Sequence, residues 1–194
     1  MPNWCTNILI VTGPKEDIAV FQDSVIGEYP IYAPSEYALR HGINEDREPI
    51  SSELCFHKIA PVPDTILQAG YDRQGYDWQI ANWGTKWGVN NVVVNEIGQD
   101  RLEYYFDTAW SPPSAFVKAA SAKFPTLLFE LEFEEPGMVF RGSEKFSEGV
   151  LIQEVDTSDA YHEELSAEWE AELAAEAEWE RQQANENLTE NPET

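Results

Sequence analysis

Positive charge is the scarcest property of this chain of 194 residues. Twelve lysines and arginines face 36 aspartates and glutamates, which gives a formal net charge of -24 at pH 7. Such a charge keeps a protein in solution, repels nucleic acid and anionic membrane surfaces, and favours basic partners. Direct binding to nucleic acid or to a membrane is therefore not expected.

Cysteine and histidine are also scarce. The two cysteines, Cys5 and Cys55, lie far apart and form neither a Cys-x-x-Cys pair nor a disulfide framework, which favours a reducing compartment. His57 lies two residues after Cys55, but a Cys-x-His pair is a weak metal signal, so no metal site is predicted. Two cysteines also exclude the usual four-thiolate iron–sulfur cluster, and we expect no cofactor.

Long apolar runs and catalytic motifs are missing from the sequence. No uncharged apolar run approaches the roughly 20 residues of a membrane helix. The start of the chain lacks the basic and apolar regions of a secretory signal, which predicts a cytoplasmic protein. No Ser–His–Asp order with a nucleophile elbow is present, and an aspartate such as Asp107, before Thr-Ala-Trp, more often caps a turn. We predict no catalytic residue and favour a protein that is not an enzyme.

The alternation of apolar and polar residues predicts an α+β fold. Strand-like alternation covers residues 4–12, 91–97, 102–108 and 127–134, with short strands expected near 138–140 and 150–155. Helical spacing joins Ile18, Phe21 and Val25, and later Phe116, Ala120 and Phe124. The order strand, helix, strand, strand, helix, strand is that of ferredoxin-like folds, in which an antiparallel sheet carries its two main helices on one face.

The chain divides into three parts. Residues 1–155 are predicted to form the ferredoxin-like domain, with an insertion at about 28–70 that carries five prolines and shows no clean period. Within the insertion, Phe56, Ile59 and Val62 are expected to be buried, and a short helix or turn is expected at 77–87. Residues 156–187 are predicted to form an acidic helix, and 188–194 a disordered tail.

The acidic helix holds a large share of the charge. Thirteen acidic residues and one basic residue, Arg181, lie in 156–194, so half of the net charge sits in the last fifth of the chain. The segment is rich in Glu and Ala and lacks Gly and Pro as far as residue 187, which favours a helix. Leu165, Trp169 and Leu173 recur at i, i+4 and i+8 and form an apolar stripe.

Glutamates four residues apart repel one another and destabilise an isolated helix. Four such pairs lie between residues 164 and 180. Either packing of the apolar stripe stabilises the helix against this repulsion, or the negative charge itself serves to attract a partner. The helix is therefore either an inert solvated tail or a surface that binds a partner. On the second interpretation the partner-binding residues are Glu164, Glu168, Trp169, Glu172, Glu176 and Glu180.

Three strings of uncommon residues stand out: Met-Pro-Asn-Trp-Cys-Thr-Asn at 1–7, Asn-Trp-Gly-Thr-Lys-Trp at 82–87 and Phe-Asp-Thr-Ala-Trp-Ser-Pro-Pro at 106–113. With Phe-Pro at 124–125 and Phe-Arg-Gly at 140–142, they resemble the YubB-type ferredoxin-like domain family of phages, plasmids and bacteria. The resemblance implies a ferredoxin-like fold for about residues 1–155 and a home on mobile elements. It implies no activity for any residue and does not include the acidic helix.

The string at 82–87 has two interpretations. In the first, Trp83 and Trp87 anchor the core, Gly84 makes a backbone turn and the stem of Lys86 packs on an indole. In the second, tryptophans that approach one another wall a pocket for a nucleotide or another small ligand, with Lys86 near their edge. The ligand-binding residues of this second interpretation are Asn82, Trp83, Thr85, Lys86, Trp87 and Trp110.

Two functional hypotheses follow. The leading one is a non-enzymatic accessory protein of a phage or plasmid that acts in the cytoplasm of the bacterial host. Its acidic surface would mimic DNA and inhibit a defence or nucleic-acid-handling protein, so its partner would be a basic host protein that binds nucleic acid. The alternative is a nucleotide or small-ligand binding protein, or an enzyme, that uses Trp83, Lys86, Trp87 and Trp110.

Overall fold

A computed structural model of the protein describes residues 3–34, 36–42, 48–96 and 100–190. Within these ranges the strands are β1 (Trp4–Thr12), β2 (Gly27–Glu28), β3 (Ser51–Ser52), β4 (Asn90–Glu96), β5 (Arg101–Ala109), β6 (Leu128–Glu135), β7 (Phe140–Ser147) and β8 (Val150–Asp156). The helices of the same ranges are α1 (Lys15–Val25), α2 (Glu36–His41), α3 (Phe56–Ile59), α4 (Asp64–Ala69), α5 (Arg73–Trp83), α6 (Ser114–Lys123) and α7 (Ser158–Glu190).

The main sheet of the described chain has six antiparallel strands in the order β4-β5-β1-β6-β7-β8. Strand β1 lies between β5 and β6, so Leu9 stands opposite Tyr104 on one side and Leu131 on the other. Strands β1, β4, β5 and β6, with α1 and α6 as crossovers, have the ferredoxin-like connectivity. Strands β7 and β8 extend the sheet as a hairpin. The predicted fold class is confirmed.

The hydrophobic core lies between the sheet and the helices. Alternate residues of the three central strands are buried in one cluster, among them Leu9, Val11, Tyr104, Phe106, Phe129 and Leu131. The predicted helical faces join the same cluster, namely Ile18, Phe21 and Val25 of α1 and Phe116, Val117 and Ala120 of α6. The ring of Phe21 meets Phe129 edge to face at 5.2 Å, which fixes α1 against the middle of the sheet.

The segment between α1 and α5 is more ordered than its sequence suggests. Its described residues form the two-stranded ribbon β2–β3 and three short helices, and elements of two to six residues are too short to show a period. Phe56, Ile59 and Val62 are buried, as predicted. Helix α3 packs between α1 and α6, and the Cys55 amide donates to the carbonyl of Val25 at 2.7 Å.

Several boundaries differ from the predicted ones. Helix α5 begins after Asp72, whose carboxylate accepts from the amides of Gln74 and Gly75, and it ends before Gly84, which adopts a left-handed φ of 88°. It therefore lies four residues earlier than the predicted 77–87. The strand expected near 138–140 begins at residue 140, because Val139 has φ 56° and belongs to the preceding turn.

Helix α7 runs to residue 190, three residues beyond its predicted end at 187. The rest of the predicted disordered tail, 191–194, lies outside the described residues, as do residues 1–2 of the opening string and residue 97 of the predicted strand 91–97. No helix in the described ranges combines the length and the apolarity that a membrane span requires.

Candidate functional site

A cavity of about 630 Å³ lies between the insertion and α5. Its wall includes the aromatic side chains of Tyr29, Tyr32, Tyr71, Trp83 and Trp87, the amide of Gln79, and aliphatic residues such as Ile31, Ile50 and Val89. The insertion supplies Tyr29 and Tyr32, Tyr71 lies just before α5, and Gln79, Trp83 and Trp87 lie on α5 or just after it. The volume falls within the roughly 300–1,000 Å³ that is usual for small-molecule sites.

Tyr29 forms one wall through a network of backbone hydrogen bonds. Its hydroxyl donates to the carbonyl of Leu54 at 3.0 Å and accepts from the amides of Phe56 and Val89. Burial raises the pKa of this hydroxyl well above its ordinary value. A Cβ at Gly88 would lie 2.3 Å from the Tyr29 ring, so the close approach of ring and backbone requires glycine there.

Tyr32, Tyr71 and Gln79 form another part of the wall. The amide Nε2 of Gln79 donates to the Tyr32 hydroxyl at 2.9 Å, and the rings of Tyr32 and Tyr71 meet edge to face at 5.2 Å. The Tyr71 hydroxyl donates to the carbonyl of Lys86 at 2.8 Å, and burial raises the pKa of Tyr71 to about 12. Gln79 is 3% exposed, and its Oε1 has no hydrogen-bond partner among the described residues.

Trp83 joins the cavity to the core. It is 1% exposed, its ring meets those of Tyr29, Phe56 and Trp78, and its Nε1 donates to the carbonyl of Ala60 at 2.9 Å. Gly84 makes the expected backbone turn. The Lys86 ammonium lies 4.5 Å from the centre of the Trp87 ring, so it is engaged in a cation–π contact. The core interpretation is confirmed for Trp83 and Gly84, whereas Trp87 is only half-buried and is not one of the core residues.

The other residues of the predicted ligand site face elsewhere. Asn82 donates to the carbonyl of Trp78 and lines a shallow groove between α5 and α6. The hydroxyl of buried Thr85 donates to the carbonyl of Ala109 at 2.9 Å, which ties the end of α5 to β5. Trp110 is 40% exposed, and no ring contact within the described ranges joins it to Trp83 or Trp87.

Of the six predicted ligand-binding residues, the structure thus brings Trp83 and Trp87 to the cavity wall. Binding of a ligand by the six together stays a prediction. Sequence reasoning missed Tyr29, Tyr32, Tyr71 and Gln79. The available signal was a group of tyrosines in a proline-rich insertion, but without a period nothing in the sequence indicates that they converge on α5.

The first two turns of α7 are fastened to the sheet. Tyr161 is buried, and the guanidinium carbon of Arg141 lies 4.7 Å from the centre of its ring. The same guanidinium donates to both carboxylate oxygens of Glu164, at 2.6 and 2.8 Å. This pair lowers the pKa of Glu164 and raises that of Arg141. Glu164, predicted to bind a partner, is therefore engaged in anchoring the helix to β7.

After this anchor the helix leaves the domain. From residue 166 to residue 183 every side chain is exposed except that of Ala177. The exposed stretch contains the other predicted partner-binding residues, Glu168, Trp169, Glu172, Glu176 and Glu180. Trp169 is 64% exposed and Trp179 is 62% exposed, so the apolar stripe is mostly open to solvent beyond Leu165, where Trp169 borders a groove with Pro136 and Val139.

Comparison with known proteins places this architecture in a family. Residues 79–184 match the family described as "Ferredoxin-like domain in Api92-like protein". A crystal structure of a protein api92 from Yersinia pseudotuberculosis is similar to this chain, with a TM-score of 0.58 and 13% identity over 80% of this chain and 98% of that chain. At that identity the likeness concerns the fold alone. No curated protein matches the chain significantly.

Proposed function

We propose that this chain, which belongs to the family of ferredoxin-like domains in Api92-like proteins, is a non-enzymatic binding protein whose acidic helix docks on a basic, nucleic-acid-binding protein. The observation that carries this proposal is the exposed stretch of α7 from residue 166 to residue 183. A long helix that leaves its domain, carries uncompensated carboxylates and exposes tryptophans presents a surface suited to a partner.

The charge density of α7 supports mimicry of nucleic acid. Nine carboxylates lie between Asp159 and Glu180, and one of them, Glu164, is paired with Arg141. At 1.5 Å per residue the stretch is about 33 Å long, so free carboxylates recur about every 4 Å along the axis. The phosphates of one DNA strand recur about every 3.4 Å. Counted around the whole helix, the negative charge per unit length of α7 is therefore similar to that of one DNA strand, which favours attraction to a basic groove.

The exposed apolar residues of α7 supply the buried contacts that a tight complex needs in addition to charge. Carboxylates steer the encounter with a basic surface, while tight complexes depend on a few buried anchors, among which tryptophan is over-represented. Trp169 and Leu173 lie four residues apart on one side of the helix and are both exposed. We therefore assign Trp169 and Leu173 as the anchors and the flanking glutamates as the steering charges.

The resemblance of the short strings to YubB-type domains of mobile elements gives the proposal its concrete form. A phage or plasmid protein that presents DNA-like charge would occupy the groove of a host defence or nucleic-acid-handling protein and block it. Its site of action would be the cytoplasm of the bacterial host. The proposed partner is basic and binds nucleic acid, and the protein itself binds no DNA because of its net charge of -24.

Competition with DNA tests this proposal. Host proteins retained on a DNA column are passed over the immobilised full-length protein, and those that bind are challenged with a short DNA duplex. We expect the duplex to displace the bound protein, since both occupy the same groove. The variant Glu168→Gln/Glu172→Gln/Glu176→Gln should retain much less of it, because three steering charges are lost.

The matched control removes the same number of charges from the domain. Asp23, Glu53 and Glu154 are exposed and lie outside α7, so Asp23→Asn/Glu53→Gln/Glu154→Gln changes net charge equally. We expect this control to retain the partner almost as well as the parent. Retention that survives saturating duplex, or an equal loss in both triple variants, would contradict the proposal.

A further inference from the structure

We propose that the aromatic cavity between the insertion and α5 binds a small, flat, neutral or cationic molecule that presents N–H donors, such as an aromatic amidine or an aminoheterocycle. The inference concerns a surface separate from α7 and does not depend on the proposed function. It rests on three observations: an unpartnered buried acceptor, aromatic walls and the sign of the charge around the opening.

The unpartnered acceptor is the amide oxygen of Gln79. The side chain is 3% exposed and lines the cavity, and its Nε2 is already committed to the Tyr32 hydroxyl. A buried amide oxygen without a partner destabilises the structure, so proteins rarely keep one without a reason. Oε1 is itself buried in the cavity wall, so a ligand N–H would satisfy it once the Gln79 amide moves toward the cavity. The site therefore selects a hydrogen-bond donor.

The walls select a flat apolar body. The hydroxyls of Tyr29 and Tyr71 are bound to backbone carbonyls, and the indole N–H of Trp83 is bound to the carbonyl of Ala60. Tyr29 and Tyr71 consequently offer their rings to a ligand, while the 1% exposed Trp83 supports the wall from the core side. Aromatic walls with one or a few convergent polar groups are typical of small-molecule sites.

The charge around the cavity disfavours anions. Glu48 lies on its wall, and the chain carries a net charge of -24. The Lys86 ammonium lies over the Trp87 ring and is absent from the cavity wall formed by the described residues. A phosphate would therefore find no cation among the described residues of this wall. This distinguishes the proposed ligand from a nucleotide whose phosphate pairs with Lys86.

Benzamidine and benzoate make a matched pair of probes, because they share size and shape but differ in charge and in hydrogen-bond donors. Binding is followed by calorimetry and by tryptophan fluorescence at physiological salt, with adenine as a neutral aminoheterocycle. We expect benzamidine and adenine to bind with one-to-one stoichiometry and benzoate to bind at least about tenfold more weakly. Equal binding of benzamidine and benzoate, or binding of neither benzamidine nor adenine, would overturn the proposal.

Two variants locate the site. Gln79→Met keeps the volume and removes the acceptor, so the affinity for benzamidine should fall about tenfold. Ile50 lines the cavity and is exposed, so Ile50→Trp narrows it without changing the core and should abolish binding even where Gln79→Met fails to fold. The control Trp110→Phe should bind like the parent. Undiminished binding in Ile50→Trp, or lost binding in Trp110→Phe, would place the probe elsewhere and refute the assignment.

Discussion

Truncation after Ser166 is expected to abolish partner binding while leaving the free energy of unfolding within about 0.5 kcal/mol of the parent value. The cut removes nine carboxylates, Trp169, Leu173 and Trp179, but retains the anchor formed by Arg141, Tyr161 and Glu164. Stability should hold because the removed side chains described by the structure are exposed, apart from Ala177. Urea unfolding measures stability, and biolayer interferometry against the partner recovered by DNA competition measures binding.

The point variant Trp169→Ala tests whether the loss of binding comes from a missing anchor that contacts the partner or from a loss of stability. If Trp169 is an anchor, affinity falls sharply while stability is unchanged, because the side chain makes few contacts in the free protein. Full binding by the truncated chain would instead identify the end of α7 as an inert tail. A large loss of stability on truncation would show that α7 packs on the domain more extensively than its exposure indicates.

Replacement of Trp83 by alanine should produce the largest loss of stability among the tryptophan variants. The side chain is 1% exposed, contacts three aromatic rings and donates to the carbonyl of Ala60. Removal of a buried aromatic side chain of this size costs about 3–5 kcal/mol, and the unpaired carbonyl adds to the loss. The midpoint and slope of urea unfolding give the change directly.

Trp179→Ala is the matched control for this substitution. The same atoms are removed from a side chain that is 62% exposed, so we expect a change within about 0.5 kcal/mol. A similar cost for Trp83→Ala and Trp179→Ala would refute the role of Trp83 as a core anchor. If Trp83→Ala does not fold, Trp83→Phe provides a milder test, since it keeps a ring and loses the donor to Ala60.

The sequence predicts the sheet well because each central strand has one face in the core. Leu9 and Val11 alternate with residues of the other face, and Phe129 and Leu131 do the same across the register. The helical face of Ile18, Phe21 and Val25 is similarly plain. Such periods are local properties, so they can be recognised in a single sequence without knowledge of the tertiary contacts between elements.

The cavity could not be predicted in the same way. Tyr29 and Gln79 lie 50 positions apart, and their approach depends on how an insertion of very short elements folds over α5. The polar residues of the string at 82–87 are also compatible with two roles, a structural one and a ligand-binding one. Thr85 hydrogen-bonds a backbone carbonyl and Lys86 contacts a ring, both structural roles that use the same residue types as a ligand site. Residue type and spacing alone do not distinguish these roles.

The dependence of association on salt tests the central claim most directly. The association rate of the full-length protein with its basic partner is measured from about 50 to 300 mM salt, beside the variant Glu168→Gln/Glu172→Gln/Glu176→Gln. Docking through the carboxylates of α7 predicts a rate that falls steeply with salt for the parent, and a slower rate with a flatter slope for the variant. Rates that are equal for the two proteins and insensitive to salt would contradict it.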